Sequence, residues 1–278
     1  MYWPADDTRQ IQFPRLSYLP FLLPRLHRFF SSSLINPDVS WWQGWFSFEE
    51  VPLKWQYPLG LLYDTLSGAL PAMEDEHDAE AMPTQLPWNL VLHFTNFPSD
   101  VLIPLDEAGK IHHDAFINSV KEADFLRNGS AKAIMSLSKD DSTTLWRSVQ
   151  EHDMLLFNFI NQKFLNPPPG MDLRHVPIKI YLPNANSTAS NSDGQQPLGI
   201  LKLVQGLVKP SNESGTPQTL GSALHDLLPT VFPSRRSYIF AHAVLHGAVL
   251  PLNAPIEDLM RSASHADGFL HIAVIMVR

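Results

Sequence analysis

The residues whose type and spacing could hold a metal ion are His242 and His246, four apart in HAVLH, and the adjacent pair His112 and His113. A zinc-protease helix needs a glutamate directly after its first histidine, and here that position is Ala243 in a stretch, SYIFAHAVLH, that reads as a strand. On a strand both imidazoles share a face with Phe240 and Val244, a pattern better explained by partly buried structural histidines than by ligands. A histidine-dependent metal hydrolase is therefore the least favoured reading, and the pair at His112 is weaker still. No glycine-rich phosphate loop and no GxSxG elbow occurs. The cysteine count is zero, which removes disulfides, thiolate metal sites and every mechanism with a cysteine nucleophile, carriage of a thioester included. The final residues VIMVR lack the glycine pair of a conjugatable modifier. No catalytic residue, metal site or cofactor is expected.

Composition narrows the class further. A chain of 278 residues with 44% hydrophobic content can bury the cores of two or three compact domains. Its 20 basic and 28 acidic residues give a net charge of −8, so the basic footprint of a nucleic-acid binder is missing. Five of the acids (Glu74, Asp75, Glu76, Asp78 and Glu80) sit in one insert and read as a solvated loop. The apolar stretch 18–30 is interrupted by Pro20, Pro24, Arg25 and Arg28 and makes a poor signal peptide. No run reaches the roughly 18 apolar residues of a membrane span. The expectation is a cytoplasmic protein, at most peripheral to membranes, with unglycosylated sequons at Asn128, Asn186 and Asn212.

The elements that would position any functional side chain follow from periodicity. Residues 41–63 concentrate four tryptophans beside Phe46, Phe48 and Tyr57 and read as strand, bend and helix. Upstream, Leu19, Leu22, Leu23, Leu26, Phe29 and Phe30 predict an amphipathic helix over 16–30, kinked at Pro24. An extended piece over 53–57, a helix from Pro58 and a buried strand over 86–94 follow. Helices are predicted over 105–127, where Phe116, Ile117, Val120 and Phe125 form the apolar stripe, briefly after Ser130, and over 140–165. In the last of these, Leu145, Trp146, Val149, Leu156, Phe159 and Ile160 line one side, and the run 167–170 stops it. From Arg174 the strand period returns: Val176, Ile178, Ile180 and Leu182 on one face, a second strand over 198–208, a helix capped by Thr219, a strand over 237–246, a short strand near Val249, a helix over 255–260 and a terminal strand over 269–277. Three polar segments, 73–83, 184–197 and 210–217, read as mobile loops. The order after Arg174 is that of a ubiquitin-like β-grasp, and 16–94 repeats it without the opening hairpin. The fold class is thus α+β, with a first ubiquitin-like domain over 1–100, a helix-rich domain over 101–170 and a second ubiquitin-like domain over 171–278.

PRLSYLPFLLPRL from Pro14, PLKWQYPLGLLYD from Pro52, LPWNLVLHF from Leu86 and VKEAD from Val120, in that order across nearly the whole chain, closely resemble the autophagy protein 5 family. The resemblance implies a non-enzymatic scaffold. One lysine, matched by VKEAD to Lys121, is joined through its amine to the terminal glycine of autophagy protein 12. The conjugate, with a helix of autophagy protein 16 held in a groove among the three domains, promotes transfer of autophagy protein 8 from its conjugating enzyme to phosphatidylethanolamine. It also implies peripheral association with the preautophagosomal membrane. By pattern alone Lys121 is an ordinary surface lysine beside Glu122 and Asp124, and only the resemblance singles it out. The competing reading is a ubiquitin-like binding module that is never conjugated. Trp88 reads as core first, and Trp88 with Asn89 as possible contacts for the lipidation enzyme. Family members carry a further pair of strands before the PRLSYLP helix, whereas this chain begins MYWPADDTRQIQF; a truncated gene or a shortened isoform is the expectation. Phe46, Phe48, Leu90 and Leu92 are then expected to be under-covered.

Overall fold

The computed structural model describes residues 10–69, 71–72, 86–164, 173–183, 201–212 and 214–277. The insert 73–83, the loop 184–197 and the proline run 167–170 lie outside them. In chain order the elements are α1 (Leu23–Phe30), β1 (Trp45–Phe48), β2 (Val51–Pro52), α2 (Leu59–Leu66), β3 (Val91–His93), α3 (Lys110–Asn128), α4 (Lys132–Met135), α5 (Lys139–Glu151), α6 (Met154–Phe164), β4 (Ile178–Leu182), β5 (Lys202–Gln205), α7 (Leu220–Leu227), β6 (Ala241–Leu245), β7 (Ala248–Val249), α8 (Ile256–Ala263) and β8 (Leu270–Met276).

The second ubiquitin-like unit is a five-stranded sheet in the order β5-β4-β8-β6-β7, with β4 and β8 parallel at its centre. Strand alternation sends Ile178, Ile180, Ile272 and Val274 to the face covered by α7 and α8, where Leu220, Leu224, Ile256 and Met260 close the core. Tyr181, Val244 and Ala273 point to the opposite face and meet Leu61 of α2, so the first unit covers the second unit's other side. The first unit has three described strands in the order β2-β1-β3, packed on Leu19, Leu22, Leu23 and Leu26 with Trp55 and Leu62. Between them α3 sends Phe116 and Val120 into a cluster with Leu145, Val149 and Ile160 of the helical bundle.

Several local expectations are corrected. The stretch 16–30 is a 3-10 segment, Leu19–Leu22, leading into α1 with Pro24 in its first turn, where a missing N–H costs nothing. Helix α3 begins at Lys110 rather than at 105 because the Asp106 carboxylate accepts from the amides of Lys110 and Ile111 (3.1 and 2.8 Å). The helix expected over 140–165 is broken in two: His152 turns left-handed at φ 57°, and the Asp153 carboxylate accepts from the amides of Leu155 and Leu156 to start α6. Residues 53–57 turn instead of extending, after a hairpin whose Glu49 and Glu50 both hold positive φ. Only Val91–His93 pairs within 86–94, and Leu86 and Val91 are exposed, so that segment is not a buried strand. Phe125 and Phe159 face outward, not onto the apolar stripes assigned to them. The strand expected over 237–246 pairs only over Ala241–Leu245, and β5 is an exposed edge strand. Phe46 is buried, and Phe48, Leu90 and Leu92 pack partly buried against the same cluster, so the predicted under-covering of that sheet is not what the fold shows.

Candidate functional site

A groove of about 290 Å³ opens where the three units meet. Tyr57 comes from the turn before α2, Asn118, Ser119 and Glu122 from one face of α3, and Lys179, Tyr181 and Leu203 from β4 and β5. The same alternation that buries Ile178 and Ile180 turns Lys179 and Tyr181 toward the groove.

Charged contacts fasten its walls. Glu122 accepts from Lys179 Nζ at 2.9 Å and from Gln205 Nε2 at 2.9 Å, tying α3 to β4 and β5, and Lys179 also stands 3.7 Å from the Phe269 ring centroid. Beneath them lies a buried polar chain. The Asp267 carboxylate accepts from Ser119 Oγ (2.7 Å) and lies 2.9 Å from His271 Nε2, while His271 Nδ1 lies 2.8 Å from the Tyr181 hydroxyl. Burial acts to raise the Asp267 carboxyl, but neighbouring His271 and its hydrogen bond, His265 and the Ser119 hydroxyl outweigh it and hold the group below the ordinary carboxylate range. An ionised carboxylate only accepts, so His271 donates to it from Nε2.

Ser, His and Asp here do not make a hydrolytic triad. A nucleophilic serine must donate to the imidazole, with the carboxylate behind it; in this chain the carboxylate lies between Ser119 and His271, so the imidazole does not stand where it could take the serine proton. The arrangement is a structural brace between α3 and β8. Sequence reasoning overlooked Ser119, Tyr181, Asp267 and His271; the one signal was a tyrosine on the strand face opposite the helices.

Lys121 is half-buried on α3. At about 100° per residue, it lies on the same side as exposed Asp114 and Phe125, away from buried Phe116, Val120, Ala123 and Arg127. Among the described residues its amine makes no hydrogen bond or ion pair. Its acidic sequence neighbours are engaged elsewhere: Glu122 with β4 and β5, and Asp124 with Asn128 Nδ2 (2.7 Å) and the Ile134 amide (3.2 Å). On its other side α3 is locked down, with Arg127 buried and donating to Ala123 O, and the Arg127 carbonyl accepting from the Arg174 amide at 2.7 Å.

Trp88 packs against Phe48 and Tyr63 at 5.3 and 5.6 Å between ring centroids, while Asn89 beside it is exposed. His242 stacks edgewise on Tyr238, and His246 forms the tip of the β6-β7 turn with Nε2 2.8 Å from the Ala263 carbonyl. His112 is enclosed by Tyr18, Phe21, Trp55 and Trp146; burial, with His113 beside it, pushes its pKa down to about 3. Among the described residues no group of three His, Cys, Asp or Glu side chains could hold a metal ion. No helix among them is long and apolar enough to cross a membrane.

Comparison with known proteins gives three successive family matches: residues 4–94 with the UblA domain of autophagy protein ATG5, 109–167 with its alpha-helical bundle region and 175–274 with its UblB domain. Autophagy protein 5 of Phaeosphaeria nodorum is 51% identical over 280 residues, 98% of this chain and 88% of that protein. Autophagy protein 5 of Aspergillus terreus is 49% identical over 287 residues, with the same two shares, 98% and 88%. The crystal structure of Kluyveromyces marxianus Atg5 superimposes with a TM-score of 0.69 at 22% identity, covering 94% of this chain and 84% of that one, a likeness of fold.

Proposed function

The chain belongs to the autophagy protein 5 family, and on that premise we propose that Lys121 is the amine through which it accepts autophagy protein 12. The protein is a non-enzymatic autophagy scaffold and conjugation acceptor. In the acceptor reaction a neutral lysine amine attacks the carbonyl of a thioester, the carbon–sulfur bond breaks, the thiolate leaves with the conjugating enzyme, and the amine proton passes to solvent. The reactive sulfur belongs to another protein, for this chain has no cysteine. A free lysine amine is neutral only on the order of once in a thousand at pH 7, so the enzyme must supply desolvation and alignment. What this chain supplies is placement of the acceptor.

The observation that carries the proposal is the two-sidedness of α3. One side is buried in the bundle and braced to the second unit through Ser119, Glu122 and Arg127, while Lys121 stands on the other, its amine without a hydrogen bond or ion pair among the described residues. In a reconstituted conjugation mixture, Lys121→Arg should abolish the adduct, read as a mass shift and mapped by peptide sequencing. An adduct that persists on Lys110, Lys132 or Lys139 refutes the assignment, and no adduct on any lysine favours a module that is never conjugated.

The three-unit groove is our candidate seat for the helix of autophagy protein 16. It offers apolar Tyr57 and Leu203 beside the Glu122–Lys179 pair, a fit for an amphipathic helix with an apolar anchor and polar flanks. Asn89 and the edge of Trp88 are proposed contacts for the lipidation enzyme, reached through the conjugate. We place the protein in the cytoplasm, peripherally attached at the preautophagosomal membrane.

A further inference from the structure

At one end of the second unit's sheet, the strands run past the rows that α7 and α8 cover. Residue Ala241 of β6 pairs with Met276 of β8, and the Val277 amide donates to the Phe240 carbonyl at 2.9 Å. This pairing gathers Ile239, Phe240, Met276 and Val277 into one rim, and all four are exposed, by 49, 52, 49 and 46%. By strand alternation Ile239 and Met276 continue one face of the sheet, and Phe240 and Val277 the other. Four large apolar side chains grouped at one edge exceed the scattered single exposures of an ordinary surface.

The chain segments that form the rim carry cations but no acids of their own. Segments 227–256 and 268–278, which build it, contain no Asp or Glu, although the chain carries 28 acidic residues and a net charge of −8. Arg235 and Arg236 precede the rim in a turn held by Ser234 Oγ, which accepts from the Arg236 and Ser237 amides at 3.2 Å each. Both arginines are exposed; Arg235 is paired at the surface with Asp226 at 3.2 Å. The loop is therefore built, and it holds guanidinium groups beside apolar tips.

We propose that this rim is a membrane-docking surface, inserting Ile239, Phe240, Met276 and Val277 at the headgroup boundary of a bilayer while Arg235 and Arg236 meet anionic lipid. The combination of apolar tips with adjacent cations is the chemistry of interfacial binding, and a bilayer requires no shape-matched pocket. The proposal rests on the peripheral membrane attachment proposed above and says which face makes it.

The test is co-sedimentation of the full chain with vesicles of phosphatidylcholine containing phosphatidylserine, and with vesicles of phosphatidylcholine alone. Wild-type protein should sediment with the anionic vesicles. Ile239→Asp combined with Phe240→Asp should reduce binding about tenfold or more, and Met276→Asp combined with Val277→Asp should do the same from the neighbouring strand. Arg235→Gln and Arg236→Gln should each cost about fivefold on anionic vesicles and little on neutral ones. Circular dichroism confirms that each variant is folded. Wild-type protein that fails to sediment, or aspartate variants that sediment undiminished, would overturn the proposal. Self-association in gel filtration that the same aspartates abolish would assign the rim to a second copy and also overturn it. Adduct formation on Lys121 should be unaffected by these variants, and sedimentation unaffected by Lys121→Arg, so the two proposals fail separately.

Discussion

The second ubiquitin-like unit closes five strands over its own two helices, whereas the first places three described strands on the 3-10 segment and α1 and completes its packing with other parts of the chain. Leu61 of α2 reaches into the second sheet against Tyr181, Val244 and Ala273, and Ala72 joins the edge of β7 through two backbone hydrogen bonds of 3.0 Å. Arg15 bonds Asp64 within the first unit and lies against Gly247 of the second. Tyr18 and Phe21 meanwhile insert into the helical bundle. The contrast teaches that the second unit is the platform and the first is held in place by its neighbours, with α3 as the joint. On the proposed reading, in which Lys121 and the groove are presented in fixed relation, α3 supplies the joint.

The largest test of that comparison lies at the brace. Asp267→Ala should destabilise the fold by about 3–5 kcal/mol, because it leaves Ser119 Oγ, His271 Nε2 and the Phe269 amide without their buried acceptor; an unchanged denaturation midpoint would mean that α3 is not held to β8 through this group. Next comes Leu61→Ala, expected to cost about 2–5 kcal/mol. Limited proteolysis should then cut the first unit early while the second resists, and simultaneous cleavage of both would break the platform distinction.

A smaller effect follows from His112 at the seam of the first unit and α3. Its folded pKa of about 3 lies below the ordinary 6.5, so between those values the unfolded chain binds the extra proton. Stability is therefore present at neutral pH and lost as pH falls from 6.5 toward 3; down to pH 5 this one group accounts for at most roughly 2 kcal/mol. Denaturation curves at pH 7 and pH 5 should show the loss, and His112→Phe should flatten it. Smallest of all, Asn89→Ala should leave stability within about 0.5 kcal/mol while lowering the rate of lipidation in a reconstituted reaction; an unchanged rate removes Asn89 from the proposed contact.

Much of this molecule was legible in the sequence where the signal is local. The alternation of Val176, Ile178, Ile180 and Leu182, the Thr219 cap and the leucine spacing of α7 report nearby packing, and each matches an element of the second unit. The middle helices were misjudged where a short-range cap overrode periodicity, as with Asp106 and Asp153, whose carboxylates fix where helices start. Phe125 and Phe159 were misjudged because helical spacing shows that a side chain lies on a stripe without showing whether it is buried.

The sequence by itself determined the absence of thiol chemistry, the α+β order of elements and, through four short motifs, the family resemblance and the candidate acceptor Lys121. Only the tertiary structure decided which side of α3 is buried and what meets across the groove. Ser119 and Asp267 are 148 positions apart and Tyr181 and His271 are 90 apart, separations over which no periodicity carries information. Their meeting depends on the stacking of whole elements, because a polar group that is buried must find its partner wherever the fold brings one.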